Sequence, residues 1–126
     1  MEIGIVVRDA DAMAAFYRDV LGLAYVGDLD FPGGTMQRFA HGDAVVKLVR
    51  TDDPPQLVNP PGGPAGGASG LRYLTVRVDQ VEAGVQRCVD AGHPVPVPLF
   101  DFEPGVPVAI VEDPEGNWVE LVQARD

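Results

Sequence analysis

The stretch "LRYLTVRVD" at residues 71–79 decides the fold, because it repeats what "IGIVVRD" does at residues 3–9. Both are short runs rich in β-branched and apolar residues that end in an aspartate, the pattern of a strand with at least one buried face. A helix is expected after each. Behind Asp9, the residues Met13, Phe16, Tyr17, Val20 and Leu21 fall on one apolar stripe at helical spacing. Asp9 or Asp11 can accept hydrogen bonds from the free N–H groups of the first turn, and Gly22 can end the helix in a left-handed conformation. Behind Asp79, the stripe is Val81, Gly84, Val85, Cys88 and Val89, closed by Gly92. Three strand-like runs follow each helix: "LAYVGDL", "TMQRFAH" and "AVVKLVR" in the first half, "PVPVPLF", "VPVAIVED" and "WVELVQ" in the second. The chain is thus an internal duplication of strand, helix and three strands, with a period of about seventy residues.

The segment between the halves, "TDDPPQLVNPPGGPAGGAS", holds five prolines and no periodicity, so it is a linker or surface loop rather than a helix or inner strand. The expected organisation is one domain over residues 1–126, with module 1 at 1–50, linker at 51–69 and module 2 at 70–126. With 126 residues, 46% of them hydrophobic, the chain can bury one real core.

Nineteen acidic against nine basic residues give a net charge of −10, which repels phosphate backbones and anionic lipid surfaces. Nucleic acid and membranes are therefore not expected partners. No apolar run has signal-peptide or membrane-spanning character, and a cytoplasmic location is expected. The single cysteine, Cys88, has no companion for a disulfide, a redox pair or a zinc site, and suits a small buried apolar position.

The paired βαβββ units, "FYRDVLGL" at residues 16–23 and "DPEGNWVEL" at residues 113–121 resemble the vicinal oxygen chelate superfamily of glyoxalases, extradiol dioxygenases, epimerases and bleomycin-resistance proteins. The resemblance covers the chain apart from the linker. It implies an α+β fold of two tandem βαβββ modules, forming a cup-shaped mixed sheet with helices on the outer face and a small-molecule cavity on the concave face. It also implies a symmetric homodimer that closes open sheet edges.

Strand alternation then assigns faces. Ile3, Ile5, Val7, Val46, Leu48, Leu74, Val76, Val78, Val119 and Leu121 take the helix side. Glu2, Gly4, Val6, Val45, Lys47, Val49, Tyr73, Thr75, Arg77, Trp118, Glu120 and Val122 look into the cup. In metal-using relatives, four such inward positions supply His or Gln, Glu, His and Glu to one divalent ion. Here the resemblance puts Glu2, Lys47, Tyr73 and Glu120 there, and only Glu120 keeps the usual ligand type. An ammonium has no lone pair and repels a metal cation, so no metal or other cofactor is expected. His41, at a hairpin turn, and His93, just beyond a helix, are expected to be exposed and do not repair the set.

Lys47 between Glu2 and Glu120 would replace the metal's charge with an organic cation, as a structural ion-pair cluster or as working groups. In the second case Glu120 acts as base while Lys47 or Tyr73 stabilises an oxyanion. Met36, Arg38, Phe39, Phe100, Phe102 and Trp118 fall at the expected mouth, as packing or as surface for a planar or apolar ligand. Arg38 and Arg77, if inward, favour a carboxylate or polarised carbonyl; otherwise they are solvated surface groups. Two functions result: a binder of an apolar or aromatic small molecule, or a lyase or isomerase acting next to a carbonyl, metal-free or with a metal in a rearranged site.

Overall fold

The computed structural model describes residues 1–123. The first half contains β1 (Glu2–Val6), α1 (Ala10–Ala14), β2 (Ala24–Phe31), β3 (Gly34–His41) and β4 (Ala44–Thr51). The second contains β5 (Tyr73–Val78), α2 (Val81–Asp90), β6 (Val97–Glu103), β7 (Val106–Glu112) and β8 (Trp118–Gln123). Each half forms its own four-stranded mixed sheet, in the order β1-β4-β3-β2 and β5-β8-β7-β6. In each, the strand before the helix pairs in parallel with the last strand of the module, while the remaining neighbours are antiparallel hairpins. This is the α+β architecture of tandem βαβββ modules. The chain divides into two compact units, Met1–Val58 and Asn59–Asp126, with the boundary inside the Pro/Gly segment.

In the first unit, Val46 and Leu48 of β4 are buried while Glu2, Gly4 and Val6 of β1 are exposed, so alternation separates a helix face from an open face. Asp9 caps α1, accepting a hydrogen bond from the Ala12 amide at 3.1 Å. Beyond Ala14 the helix widens into a π-helical stretch, Ala15–Val20, where the Leu21 amide donates to the Phe16 carbonyl at 2.9 Å, five residues back. The wider turn keeps Phe16, Tyr17 and Leu21 on the core and rotates Val20 off its centre, leaving it half-buried where regular helical spacing would bury it.

In the second unit, α2 lies on β7 and β8, and Gly84 is on its buried face. A Cβ at Gly84 would lie 3.2 Å from Leu121 Cδ1, so the missing side chain lets the helix settle onto the sheet. That contact centres the buried stripe on Val81, Gly84 and Cys88. Val85 and Val89 each follow a central residue by about 100° of rotation. Val85 is accordingly half-buried and Val89 is 50% exposed, which corrects the expectation that both are core. The strand expected from Pro94 starts only at Val97, since prolines 94 and 96 have no N–H for a ladder. No helix among the described residues is long and apolar enough to cross a membrane.

Cys88, on the inner face of α2, is fully buried, and burial pushes its thiol up to about 11, partly offset by the neighbouring Arg87 guanidinium. A thiol reagent at pH 8 should leave native protein unlabelled and label it in denaturant; equal rates in both would contradict this burial. Because the folded value lies above the ordinary 9.0, the stability linked to this group is complete below pH 9 and is lost as pH rises through about 11. Cys88→Ala should flatten that alkaline loss by on the order of 2 kcal/mol in denaturation measured against pH.

Candidate functional site

On the second sheet, the face away from α2 carries Tyr73, Thr75 and Arg77 from β5, Trp118, Glu120 and Val122 from β8, and Val106, Val108 and Ile110 from β7. The register places Thr75 beside Glu120, Arg77 beside Val122, and Val108 on the other side of Val122. Part of this face lines an open hollow of about 490 Å³. Its apolar wall is Val106, Val108, Val122 and Phe102, and its polar side is Thr75, Arg77, Glu120 and Gln123. Thr75 Oγ1 donates to Glu120 Oε1 at 2.8 Å, which ties one carboxylate oxygen to the sheet. A strand therefore presents a glutamate beside buried Val119 and Leu121 because alternation turns Glu120 to the open face.

The mouth residues expected from sequence separate into different roles. Phe102, 70% exposed, lines the hollow; Phe100 faces Val108 in register on the same edge strand but stands outside the lining. Trp118 does not stand open at a mouth. Gly62 and Gly63 of the linker are buried against its indole, and its Nε1 donates to Glu112 Oε1 at 3.3 Å. Tyr73, its register neighbour, is 51% exposed.

On the first sheet, Met36 and Arg38 of β3 share the open face with Lys47 and Val49 of β4, and Lys47 is half-buried there. Arg38 does not project toward a ligand. Its Nη2 donates to the Val26 carbonyl at 3.1 Å and its Nε to that of Gly27 at 3.3 Å, closing the bulge between Tyr25 and Gly27. Phe39 is the clear correction: it is 0% exposed and belongs to the core, opposite Val46 and 5.6 Å from the Tyr25 ring. Its position has opposite parity to Met36 and Arg38, and period-two alternation applied to "TMQRFAH" would have found this. His41 and His93, expected to be exposed, are half-buried. The sequence reading missed Val106, Val108 and Gln123 as walls; once β7 is registered on β8, Val108 follows from Val122.

Glu2 and Lys47 lie diagonally across β1 and β4, since Glu2 faces Val45 and Gly4 faces Lys47. Tyr73 and Glu120 are diagonal across β5 and β8 in the same way. Taken by type, the four positions offer two carboxylates, a phenol and an ammonium. No group of three His, Cys, Asp or Glu side chains able to hold a metal occurs among the described residues. Of these, Lys47 itself offers a divalent ion no ligand, because an ammonium carries charge of the wrong sign and has no lone pair.

Comparison with known proteins agrees with the architecture. "Putative glyoxylase CFP32" of Mycobacterium tuberculosis (strain CDC 1551 / Oshkosh) is 29% identical over 126 residues, 98% of this chain and 44% of that protein. The chain thus spans less than half the length of this curated relative. The crystal structure of lactoylglutathione lyase from Agrobacterium tumefaciens is 29% identical, with a TM-score of 0.66 over 98% of this chain and 92% of that one. A glyoxalase family protein from Bacillus cereus superposes with a TM-score of 0.82 at 18% identity, over 97% of this chain and 91% of that one, a likeness of fold. The sequence model of the Glyoxalase/Bleomycin resistance protein/Dioxygenase superfamily matches residues 2–121, and the chain belongs to that superfamily.

Proposed function

We propose that the chain is a small-molecule-binding protein of the glyoxalase/bleomycin-resistance type, holding an apolar or aromatic ligand with one polar group in the hollow of its second module, without a divalent metal. The observation that carries this reading is the division of that hollow into a valine and phenylalanine wall and a polar side built on Glu120. Apolar surface supplies affinity there, while the carboxylate held by Thr75 fixes orientation. Elemental analysis and native mass spectrometry of purified protein, followed by titration with planar aromatic compounds, test it. Val122→Trp fills the hollow and should weaken binding by about a hundredfold or more, as a clash does in a packed pocket. Glu120→Gln, which loses one charge-assisted hydrogen bond, should weaken it by about tenfold. Chelators should leave both stability and binding unchanged. A stoichiometric metal whose removal abolishes binding would overturn the metal-free reading, and undiminished binding by Val122→Trp would overturn the location.

A second reading, a lyase or isomerase acting next to a carbonyl, is favoured by the Thr75–Glu120 hydrogen bond and by the lyase among the relatives. With Oε1 engaged, Oε2 of Glu120 is left to take a proton from carbon, and Tyr73 on the same face is the candidate donor to the developing oxyanion. Deuterium exchange into carbonyl compounds, followed by NMR, separates the readings. Exchange lost in Glu120→Gln while binding persists supports the enzyme; absence of exchange with every ligand that binds supports the binder.

A further inference from the structure

The hollow of the second module stops one position short of an aromatic ring that the chain itself covers. Trp118 and Glu120 are alternate residues of β8 and share its open face, roughly 7 Å apart at strand spacing. Glu120 lines the hollow and Trp118 does not. Tyr73 of β5 and Glu112 of β7 stand directly opposite Trp118 in register, one on each side. Glu112 Oε1 accepts the hydrogen bond from the indole Nε1 at 3.3 Å, which turns that edge of the ring toward β7.

What covers the ring is backbone. Gly62 and Gly63 are buried, while Pro60, Pro61, Pro64 and Ala65 around them are exposed. A Cβ at Gly62 would fall on the five-membered ring and one at Gly63 on the six-membered ring, so the peptide unit joining the two residues runs along the indole. A peptide unit is flat and carries its donor and acceptor at its edges. The chain thus seats a planar group without a side chain on an aromatic surface next to the site carboxylate. The hold on that group is limited. It consists of the Gly63 amide donating to the Arg72 carbonyl at 2.9 Å and an exposed hydrogen bond from Asn59 Nδ2 to Asn117 Oδ1 at 3.1 Å, together with the contact on the ring. Two residues without side chains bury little apolar area, so little burial energy opposes their release. An aromatic ring in their place would bury more area on the indole and add the preference of one ring for another.

We propose that the indole of Trp118 is a second subsite of the second module's hollow, shut by the Gly62–Gly63 strap and opened when a planar group of the ligand takes the strap's place. The ligand class is then two planar apolar groups joined through a short link that carries an N–H donor. The donor meets Oε2 of Glu120, whose Oε1 is held by Thr75; one group lies on the valine wall and the other stacks on Trp118. This rests on the binding reading above and adds to it the second planar group and the release of the strap.

The probes are acetanilide, an amide with one ring, and benzanilide, the same amide with a ring on each side. Both are titrated into the full chain by calorimetry, and hydrogen exchange of the Gly63 amide is followed by NMR. Benzanilide should bind about tenfold tighter than acetanilide. It should also speed exchange at Gly63 by about tenfold or more, whereas acetanilide should leave it unchanged. Asn59→Ala cuts a tether without touching the ring and should tighten benzanilide about threefold, with acetanilide as in wild type. Trp118→Leu should bring benzanilide down to the affinity of acetanilide. The strap subsite is overturned if benzanilide gains nothing over acetanilide, if it binds without speeding exchange at Gly63, if Trp118→Leu binds it as wild type does, or if neither compound binds. Acetanilide binding that is lost in Val122→Trp upholds the binding reading in each of the first three cases, so the two failures are distinguishable.

Discussion

Replacing Asp113 by alanine should cost the fold about 3 kcal/mol, measured by urea denaturation, because this side chain organises the turn that delivers β8. Asp113 is 2% exposed, yet its carboxylate is fully used. Oδ1 accepts from the amides of Glu115 and Asn117, both at 2.9 Å, and Oδ2 accepts from Asn117 Nδ2 at 2.8 Å. The backbone closes around it, with the Asp113 amide donating to the Asn117 carbonyl at 2.9 Å and Gly116 at φ +83° completing the reversal. Alanine would strand two part-buried amides and an amide side chain together, which is why the expected loss exceeds the ~1 kcal/mol of an ordinary cap. Asp113→Asn keeps one acceptor oxygen for the two amides but sets an NH2 donor against Asn117 Nδ2, so it should lose about 2 kcal/mol, less than alanine. The register Ile110 to Glu120 and Val108 to Val122 starts from this turn, so Asp113→Ala should also weaken ligand binding in the second module's hollow. If both variants unfold within about 0.5 kcal/mol of wild type, typical of unremarkable surface changes, the turn is not anchored as described.

The same turn illustrates what the sequence made legible. "DPEGN" followed by alternating Trp118, Val119, Glu120 and Leu121 announces a turn and a half-buried strand, and the structure places each side chain on the face that alternation assigns. Periodicity of two survives because a sheet face is either core or not. Helical periodicity was less dependable: one π-helical turn moved Val20, and the close seat of Gly84 on Leu121 moved the stripe away from Val89. Neither is visible without knowing what lies opposite. The Thr75–Glu120 hydrogen bond was latent in the sequence and becomes readable only once β5 is registered against β8. Arg38 and Trp118 mark the true limit. A guanidinium or an indole at an inward-facing position suggests a ligand, whereas here backbone carbonyls at a bulge and two linker glycines take those roles.

Those two glycines carry the other large expected effect. The Pro/Gly segment is aperiodic, which suggests a solvated tether, yet Gly62 and Gly63 are buried and pressed along the indole of Trp118. A Cβ at Gly62 would lie 2.5 Å from Trp118 Cδ1, over the five-membered ring. At Gly63 it would overlap the six-membered ring, 2.5 Å from Trp118 Cε3 and well inside van der Waals contact, and there the backbone is also left-handed at φ +80°. The strap is tied at both sides, by the Gly63 amide to the Arg72 carbonyl at 2.9 Å and by Asn59 Nδ2 to Asn117 Oδ1 at 3.1 Å. Gly63→Val should therefore lift the strap from the ring, at about 3 kcal/mol from overpacking together with about 1–2 kcal/mol of backbone strain. Since Trp118 is the chain's single tryptophan, its fluorescence reports the event directly: the emission should shift to the red and become open to acrylamide quenching. Gly67→Ala separates the two contributions. That glycine is also left-handed, at φ +85°, but a Cβ there meets nothing within 4 Å, so only the strain of about 1–2 kcal/mol should appear, with unchanged emission. Equal losses in the two variants would mean that the linker does not hold the indole, and Trp118 would return to the group of side chains free to meet a ligand.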